Sequence, residues 1–414
     1  MPVKVLLQTA PHGGTPEEIA EQRPLGRQRY TFHTMLQRLV RAAKAADELG
    51  YWGMAHAEHH FHSEAIEYCP NPGLMAMYLG QHTKRLMHGE LGYVVPARDP
   101  LRLAEEIAMI DHMLSGRTFV GMARGYQSRW TNVLGQHYHV TSTTSDQGEL
   151  DRRNKELFFE HYELMKKAWT QDYFTHDTEH YKVPFPADGL RNWPAAEVTR
   201  KYGTPGEVDD EGTLKHISVV PRPYQEPHPQ LFQAFSVSES TLRWCGEEGI
   251  TPTILWSDIA KVENLMRAYY EASAAAGRHY EWGQNVGIVR GFHITDSSDV
   301  ADAVGEHEGF IWTNWFNYFG FTEALRYPDE ADGTPIPAPG ETIGERLMKS
   351  GMFMAGSVDD VKRQVEQMLD RAPVEYLIWL GDFTSDNGMR QLELFAKHIM
   401  PEFDMQVTTE PAGQ

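Results

Sequence analysis

The sequence predicts an α/β protein of the (β/α)8 TIM-barrel class, with insertions at about residues 171–228 and 300–347. Strand-like and helix-like periodicities alternate through most of the chain, which is the pattern of a parallel sheet with crossover helices. Eight strands can be counted, and no repeat of roughly 20–50 residues indicates a solenoid or a propeller. A chain of 414 residues, 41% of them hydrophobic, fits one decorated barrel. We therefore expect one domain over residues 1–414, with a disordered tail from about 403.

Strands and helices are expected in barrel order. The expected strands are residues 3–8, 51–57, 91–95, 118–123, 230–235, 251–256, 286–294 and 374–380. The expected helices are residues 31–49, 101–113, 149–170, 358–370 and a last one that ends near 399. Gly50 can supply the left-handed stop of the first helix. Asp99 is placed to cap the helix that Pro100 opens, and Ser357 with Asp360 forms a capping-box pattern.

The two insertions have different compositions. Residues 171–228 are rich in Pro, Gly, Asp and His, which predicts an excursion with room for a short hairpin. Residues 310–321 contain seven aromatic residues in twelve. They would line a hydrophobic pocket, brace a dimer interface or pack in the core, and the sequence leaves all three open. Residues 327–340 are rich in Pro and Gly and are expected to be mobile.

Composition excludes several classes of protein. The formal net charge of −20 disfavours non-specific nucleic-acid binding. No segment approaches the roughly 20 apolar residues of a membrane-spanning helix, and the first residues are expected to form a strand instead of a signal peptide. Cys69 and Cys245 are the only cysteines, so we expect a reducing, cytoplasmic location without a disulfide framework. Rossmann, P-loop and nucleophile-elbow motifs are absent from the sequence.

Four histidines cluster at the expected carboxyl end of the second strand. They are His56, His59, His60 and His62, with Glu58 among them. In a barrel, active sites lie at this end of the strands. The cluster therefore indicates an acid/base or cofactor-contacting histidine, a metal site that uses His56, His59 and His62, or structural histidines.

Three other segments could hold an anion. Arg124-Gly125 directly follows the fourth strand, where a guanidinium can bind a phosphate, or else form a surface salt bridge. A Ser/Thr cluster follows the fifth strand and offers hydroxyls and helix N–H groups, although ordinary helix capping explains it equally well. A third, cationic segment begins the long helix. The residues of the last two segments are Ser238, Ser240 and Thr241, and Arg152, Arg153 and Lys155.

Several segments, in order, resemble the bacterial luciferase-like flavin-dependent monooxygenases. They are AEHHF (57–61), the run from LGYVVPARDPLRLAEE to GMARGYQ (91–127), VVPRPYQEPHPQLFQAFSVSEST (219–241) and AGSVDDVKRQVEQML (355–369), followed by VEYLIWLG and LELFAKHIMPEF. The resemblance covers nearly the whole chain apart from the two insertions. Ala123 stands where luciferase has its reactive cysteine, so light emission is not implied.

The resemblance implies a barrel that binds FMN at the carboxyl ends of its strands, usually in a homodimer. It assigns acid/base chemistry to His59, with His56, Glu58 and His60 in support. It implies phosphate contacts from Arg124, the Ser238/Ser240/Thr241 cluster and Lys155, where the family has an arginine. It also places a non-proline cis peptide at about Leu91-Gly92.

The activity implied is that of a two-component monooxygenase. Reduced FMN, supplied by a separate flavin reductase, would react with O2 to give a flavin C4a-(hydro)peroxide that oxygenates a small, apolar or aromatic organic substrate. In the family the loop after the seventh strand closes over the site, which makes residues 327–340 a candidate lid. Three alternatives remain open: an F420-dependent oxidoreductase, a non-catalytic flavin-binding partner subunit, and a metal-dependent barrel hydrolase.

Overall fold

The structure, a computed structural model, describes residues 2–144 and 147–405. By its internal contacts the chain divides into two compact units. The first, here called the barrel unit, comprises the described part of residues 1–93, 119–122 and 230–414. The second unit comprises the described part of residues 94–118 and 123–229. Most of the tail expected to be disordered, residues 406–414, lies outside the described residues, and Met405 just before it is buried.

The barrel unit confirms the predicted (β/α)8 fold. Its eight strands are β1 (Lys4–Thr9), β2 (Gly53–His56), β3 (Met87–Glu90), β4 (Thr118–Ala123), β5 (Gln230–Ser236), β6 (Thr251–Ile254), β7 (Gly287–Ile294) and β8 (Tyr376–Gly381). Neighbouring strands pair in that order. Parallel pairing of β8 with both β1 and β7 closes the barrel.

One strand lies elsewhere than the sequence predicts. The third strand was expected at residues 91–95, whereas β3 is Met87–Glu90 and Tyr93–Val94 is a separate short strand. The apolar run after Glu90 misled the prediction, because β3 itself carries two buried polar side chains, His88 and Glu90. A further strand, Phe353–Gly356, was not predicted and pairs with the second half of β7.

Helices surround the barrel, and two of those in the barrel unit have caps that the sequence predicted. In the barrel unit they are Pro16–Glu21, Thr31–Leu49, Pro72–Gly80, Glu239–Glu248, Ile259–Ala275, Val300–Asn314, Ile343–Lys349, Val358–Arg371 and Asp386–His398. Gly50 ends the second of these with φ 84°. Ser357 and Asp360 form the expected capping box.

An aromatic cluster fills the amino-terminal end of the barrel. The rings of Trp52, Phe119, Phe232 and Tyr376 pack with centroids 5.0 to 5.3 Å apart. This end of the barrel is therefore closed by packed side chains, and a site for small molecules must lie at the carboxyl ends of the strands.

The second unit contains the helices Pro100–Met113, Ser128–Leu134, Glu149–Thr170 and Ala196–Tyr202. The carboxylate of Asp99 caps the first of them, as predicted. Within the first insertion, His176–Asp177 pairs antiparallel with Lys182–Val183, which confirms the short hairpin. Among the described residues, no helix is both long and apolar enough to cross a membrane.

Candidate active site

The predicted catalytic residues lie in the loop that follows β2, in the barrel unit. Glu58 and His59 are buried, with 3% and 6% exposure. Two backbone hydrogen bonds hold this loop: the Glu58 N–H donates to the Gly92 carbonyl at 3.4 Å, and the His59 N–H donates to the Cys69 carbonyl at 2.9 Å. The strand-end position that the sequence predicted for His59 is confirmed.

The carboxylate nearest to the His59 ring comes from a residue that sequence reasoning missed. Glu67 Oε2 lies 3.3 Å from His59 Nδ1 and also accepts a hydrogen bond of 2.6 Å from Trp315 Nε1. Glu58, expected to support His59, lies 3.0 Å from His60 Nε2, and its negative charge acts to raise the pKa of His59. An acidic residue eight positions after His59 was the only signal for Glu67 in the sequence.

Burial keeps His56 and His59 neutral. It lowers the pKa of His59 to about 3, and the nearby charge of Glu58 only partly offsets this fall. Burial likewise lowers the pKa of His56 to about 3.

One nitrogen of His56 is available for a ligand. Thr9 Oγ1 lies 3.2 Å from the Ala55 carbonyl oxygen and 2.6 Å from His56 Nδ1, so Nδ1 is already engaged by this hydroxyl. His56 Nε2 is buried and has no hydrogen-bond partner within residues 2–144 and 147–405, so it can form a hydrogen bond with a bound ligand.

The histidine cluster does not form a metal centre. The rings of His59 and His62 stack with centroids 5.4 Å apart, and His62 Nδ1 contacts the Ile66 carbonyl. In the part of the chain that the structure describes, no three His, Cys, Asp or Glu side chains come together to hold a metal ion.

Strands β3 and β4 approach unusually closely beside this loop. The Leu91–Gly92 peptide is cis, at the position expected from the sequence. A Cβ on Gly92 would lie 2.5 Å from the Gly121 carbonyl carbon, and one on Gly121 would lie 2.0 Å from the Glu90 oxygen. Only glycine fits at both positions. The flavin contact expected of Leu91 and Gly92 stays a prediction.

In the second unit, Arg124 is partly paired. Its Nη2 lies 3.0 Å from Asp151 Oδ1, the salt bridge that the sequence allowed. Its Nη1 is buried without a hydrogen-bond partner among the described residues. The following Gly125 has φ +83°, and a Cβ there would lie 2.6 Å from Val94. The guanidinium thus keeps one donor that a phosphate would satisfy.

Lys155 and its neighbour Asn154 differ in placement. Lys155 is exposed, with its ammonium 5.8 Å from the Phe159 ring centroid. Asn154 is buried, and its amide nitrogen donates to the Arg124 carbonyl at 2.9 Å. Asn154 therefore supports the Arg124 loop, a role that no feature of the sequence indicated.

In the barrel unit, the expected hydroxyl cluster stands at the start of the Glu239–Glu248 helix. Ser238 Oγ lies 3.3 Å from Ser240 Oγ and 2.9 Å from Thr241 Oγ1. Ser238 also caps the helix by accepting from the Thr241 N–H. The capping alternative is thus confirmed, and it leaves the other two hydroxyls at the same helix end.

A pocket of about 960 Å³, part of it open to solvent, lies at the carboxyl ends of β1 and β8 in the barrel unit. The helix Val300–Asn314 forms one wall. The apolar residues that line the pocket include Phe310, Ile311, Trp312 and Phe316. The polar residues that line it include His12, His307, Glu308 and Asp382. The aromatic segment thus lines a pocket while also packing in the core, because Trp312 is 1% exposed.

The chain is similar to known proteins over most of its length. The family model described as luciferase-like monooxygenase matches residues 1–371. The chain is 22% identical over 374 residues to 3,6-diketocamphane 1,6-monooxygenase of Pseudomonas putida, covering 88% of this chain and 92% of that protein.

Solved structures share the fold. The oxygenating constituent of 3,6-diketocamphane monooxygenase from Pseudomonas putida, a type II Baeyer–Villiger monooxygenase solved with FMN, superimposes with a TM-score of 0.69 at 19% identity. That match covers 98% of this chain and 99% of the other. The F420-dependent tetrahydromethanopterin reductase of Methanopyrus kandleri gives a TM-score of 0.61 at 14% identity, over 97% of this chain and all of that one.

Proposed function

The chain belongs to the luciferase-like monooxygenase family, and from that membership we propose that it uses reduced FMN and O2 to oxygenate a small, apolar organic substrate. The observation that carries the proposal is an aromatic-lined pocket at the carboxyl end of the barrel, in the same unit as the buried His59 loop. Bound reduced FMN would supply the oxygen-activating chemistry.

Two buried polar atoms, each considered within its own unit, fit such a cofactor. Arg124 Nη1 in the second unit is a donor and His56 Nε2 in the barrel unit is a ring nitrogen, and neither has a hydrogen-bond partner among the described residues. We assign Arg124, the Ser238/Ser240/Thr241 hydroxyls and Lys155 to the phosphate, with Arg124 first because its remaining donor is buried. Leu91 and Gly92 are proposed to contact the flavin ring.

His59 is the proposed catalytic residue, acting as a neutral imidazole. Glu67 holds the ring through Nδ1, so the other nitrogen is oriented for hydrogen bonding to reacting atoms. Glu58 and His60 are proposed to fix the loop on which His59 lies. A separate flavin reductase, a homodimeric state and a cytoplasmic location complete the proposal.

Oxygenation is tested by aerobic incubation with FMN, a flavin reductase and a substrate panel, with product masses measured. Gain of one oxygen atom is expected, and His59→Ala should slow product formation far more than it weakens FMN binding. Equal loss of both would contradict the role of His59. Binding of flavin without any product would instead favour a non-catalytic partner subunit.

Cofactor choice is tested by spectral titration with FMN and with F420. FMN should bind more tightly, and Arg124→Met should weaken it by roughly 10- to 100-fold, the size of a lost charge-assisted hydrogen bond. Arg129→Met, five positions further on and exposed, is the matched control and should leave FMN binding unchanged. Tighter binding of F420 would overturn the choice of cofactor.

A further inference from the structure

Glu308 is a buried carboxyl for which the chemistry proposed above has no use. It lies on the Val300–Asn314 helix, lines the pocket and is 6% exposed. Its nearest charged or titratable neighbour is His307, whose Nε2 lies 3.5 Å from Glu308 Oε1. Within the described parts of the chain its side chain makes no hydrogen bond, so a ligand in the pocket can reach it.

The groups around Glu308 keep it protonated at neutral pH. Titratable side chains line the pocket from four elements: Arg38, Glu306, His307, His12 and Asp382. Burial raises the pKa of Glu308 to about 8, and the negative charge of Asp382 adds to the rise. Burial also lowers the pKa values of His12 and His307, so neither ring supplies a positive charge that would ionise Glu308. A protonated carboxyl is a hydrogen-bond donor, whereas a carboxylate only accepts.

The rest of the wall suits a hydrocarbon. Phe310, Trp312 and Phe316 line the pocket, and the His12 ring meets Phe310 edge-on at 6.3 Å. A ligand without a polar atom would leave the Glu308 donor unsatisfied. An anionic ligand would meet the carboxylates of Asp382 and Glu306 against the single guanidinium of Arg38. The best match is a neutral, apolar molecule that bears one acceptor oxygen.

Contacts through Glu67 also link the pocket lining to the loop that carries His59. The Glu67 N–H donates to His12 Nδ1 at 3.4 Å, and Glu67 Oε2 lies 3.3 Å from His59 Nδ1. Glu67 therefore connects His12, which lines the pocket, with His59.

We propose that Glu308 selects the substrate by donating a hydrogen bond from its carboxyl group to the oxygen of a neutral carbonyl compound, whose hydrocarbon part lies against Phe310, Trp312 and Phe316. This inference rests on the proposed function in taking the pocket as the substrate site. It assigns to Glu308 a role in binding and orientation, with no proton transferred in the binding step.

Binding of camphor and of its hydrocarbon analogue camphane tests this role without turnover. The full chain, with and without FMN, is equilibrated with each vapour at pH 6.5 and 9.5, and binding is read by headspace chromatography. Wild type should bind camphor about 5- to 10-fold more tightly at pH 6.5, the size of one hydrogen bond, because Glu308 loses its proton above pH 8. Camphane binding should not change with pH.

Three variants test whether the carboxyl group of Glu308 causes the pH dependence of camphor binding. Glu308→Gln keeps a donor and should bind camphor equally at both pH values. Glu308→Leu should show the weaker affinity at both. Glu306→Gln is the matched control, because Glu306 lines the same pocket but is exposed, and it should retain the pH dependence.

Thermal unfolding checks that the variants fold and tests the ionisation independently. A carboxyl whose folded pKa is raised loses stability as pH rises from its unfolded value to about 8. The melting temperature of wild type should therefore fall between pH 6.5 and 9.5 relative to that of Glu308→Gln.

Two results would overturn the inference: camphor affinity that is independent of pH in wild type, and a pH dependence that survives in Glu308→Leu. Absence of saturable camphor binding would overturn it as well. If product mass then still rises by one oxygen with a substrate that lacks a carbonyl, only this inference fails. If camphor binds as expected and flavin does not, the proposed function fails and the pocket assignment stands.

Discussion

At the scale of single residues, His59 stays uncharged although a carboxylate lies beside it. Glu67 Oε2 is 3.3 Å from Nδ1 and would favour a protonated ring, but burial dominates and lowers the pKa of His59 to about 3. Its contribution to stability is therefore present above its unfolded pKa of about 6.5 and is lost as pH falls below that value. At neutral pH the ring is therefore a fixed donor and acceptor.

The pH profile of the reaction should reflect this constant protonation state. We expect His59→Ala to lower kcat/KM about 100-fold and by a similar factor at every pH from 5.5 to 8.5. His59→Asn, which keeps an amide donor and acceptor, should retain more activity than His59→Ala. His33→Asn is the control, because His33 is exposed on the Thr31–Leu49 helix. An inflection near pH 6.5 that His59→Asn abolishes would contradict a permanently neutral imidazole.

Whether the sequence could predict a site residue depends on where in the chain the residues that contact it lie. His59 and Arg124 directly follow strands, so the strand pattern alone placed them at the functional end of the barrel. Glu67 and Glu308 gave no such signal. The bond from Trp315 to Glu67 joins residues 248 positions apart, and the protonation of Glu308 depends on Asp382 in another loop.

At the scale of elements, the loop after β2 and the aromatic segment support each other. Trp315 donates to Glu67 and packs edge-on against His62 with centroids 5.0 Å apart. Phe61, Ala65 and Glu67, all in this loop, have left-handed backbone conformations, which cost free energy in residues other than glycine. Contacts from the aromatic segment therefore help to hold the loop that carries His59 in its conformation.

Removing the indole donor should loosen that loop. Trp315→Phe keeps an aromatic ring against His62 but deprives the buried Glu67 of one hydrogen bond, at a cost of about 1–3 kcal/mol in the free energy of unfolding. Chemical denaturation measures this cost, and a double-mutant cycle with Glu67→Gln isolates the coupling. Tyr318→Phe, in the same segment and 78% exposed, should change stability by less than about 0.5 kcal/mol. Additive effects of the two changes would contradict the link.

The Pro/Gly-rich segment 327–340 is more strongly anchored than its composition predicts. Arg346 is fully buried and lies 2.8 Å from Glu330 and 2.7 Å from Glu341. Its guanidinium also stacks 3.9 Å from the Tyr327 ring centroid. Composition could not show this, because the anchoring arginine lies outside the segment, on the following helix. If the segment is a lid, these contacts hold it in the conformation seen here.

Proteolysis should report on the release of this segment. Arg346→Met keeps a long side chain but leaves two carboxylates without their cation, a change that typically costs about 3–5 kcal/mol for a buried pair. Cleavage within 327–340 should be faster in the variant than in wild type. Lys349→Met, whose ion pair with Glu345 is exposed, should cleave at the wild-type rate. In wild type, cleavage that neither flavin nor substrate slows would argue against a lid.

At the scale of the whole molecule, the packed aromatic core and the candidate site lie at opposite ends of the barrel unit. Packed aromatic rings fill its amino-terminal end, whereas the carboxyl end carries the histidine loop, the pocket and buried polar atoms that lack partners among the described residues. The alternation of strands and helices was enough to predict this architecture. It could not place β3, because two polar residues in that strand are buried by the surrounding barrel.

The proposal that a separate protein supplies the reduced flavin rests on a motif that the sequence lacks. The sequence carries no dinucleotide-binding fingerprint that would hold NADH. We therefore expect NADH and FMN with this protein alone to give neither NADH oxidation nor product. Photochemically reduced FMN, mixed with aerated protein and substrate, should give up to one product per active site without any reductase.

Mass spectrometry of that single turnover and absorbance of NADH at 340 nm are the two measurements. Adding a flavin reductase should convert the single turnover into continuous product formation. Arg124→Met should require more flavin for the same yield, which ties the requirement to the proposed phosphate contact. NADH oxidation by this chain alone would mean that it reduces its own flavin, and the two-component arrangement would then be wrong.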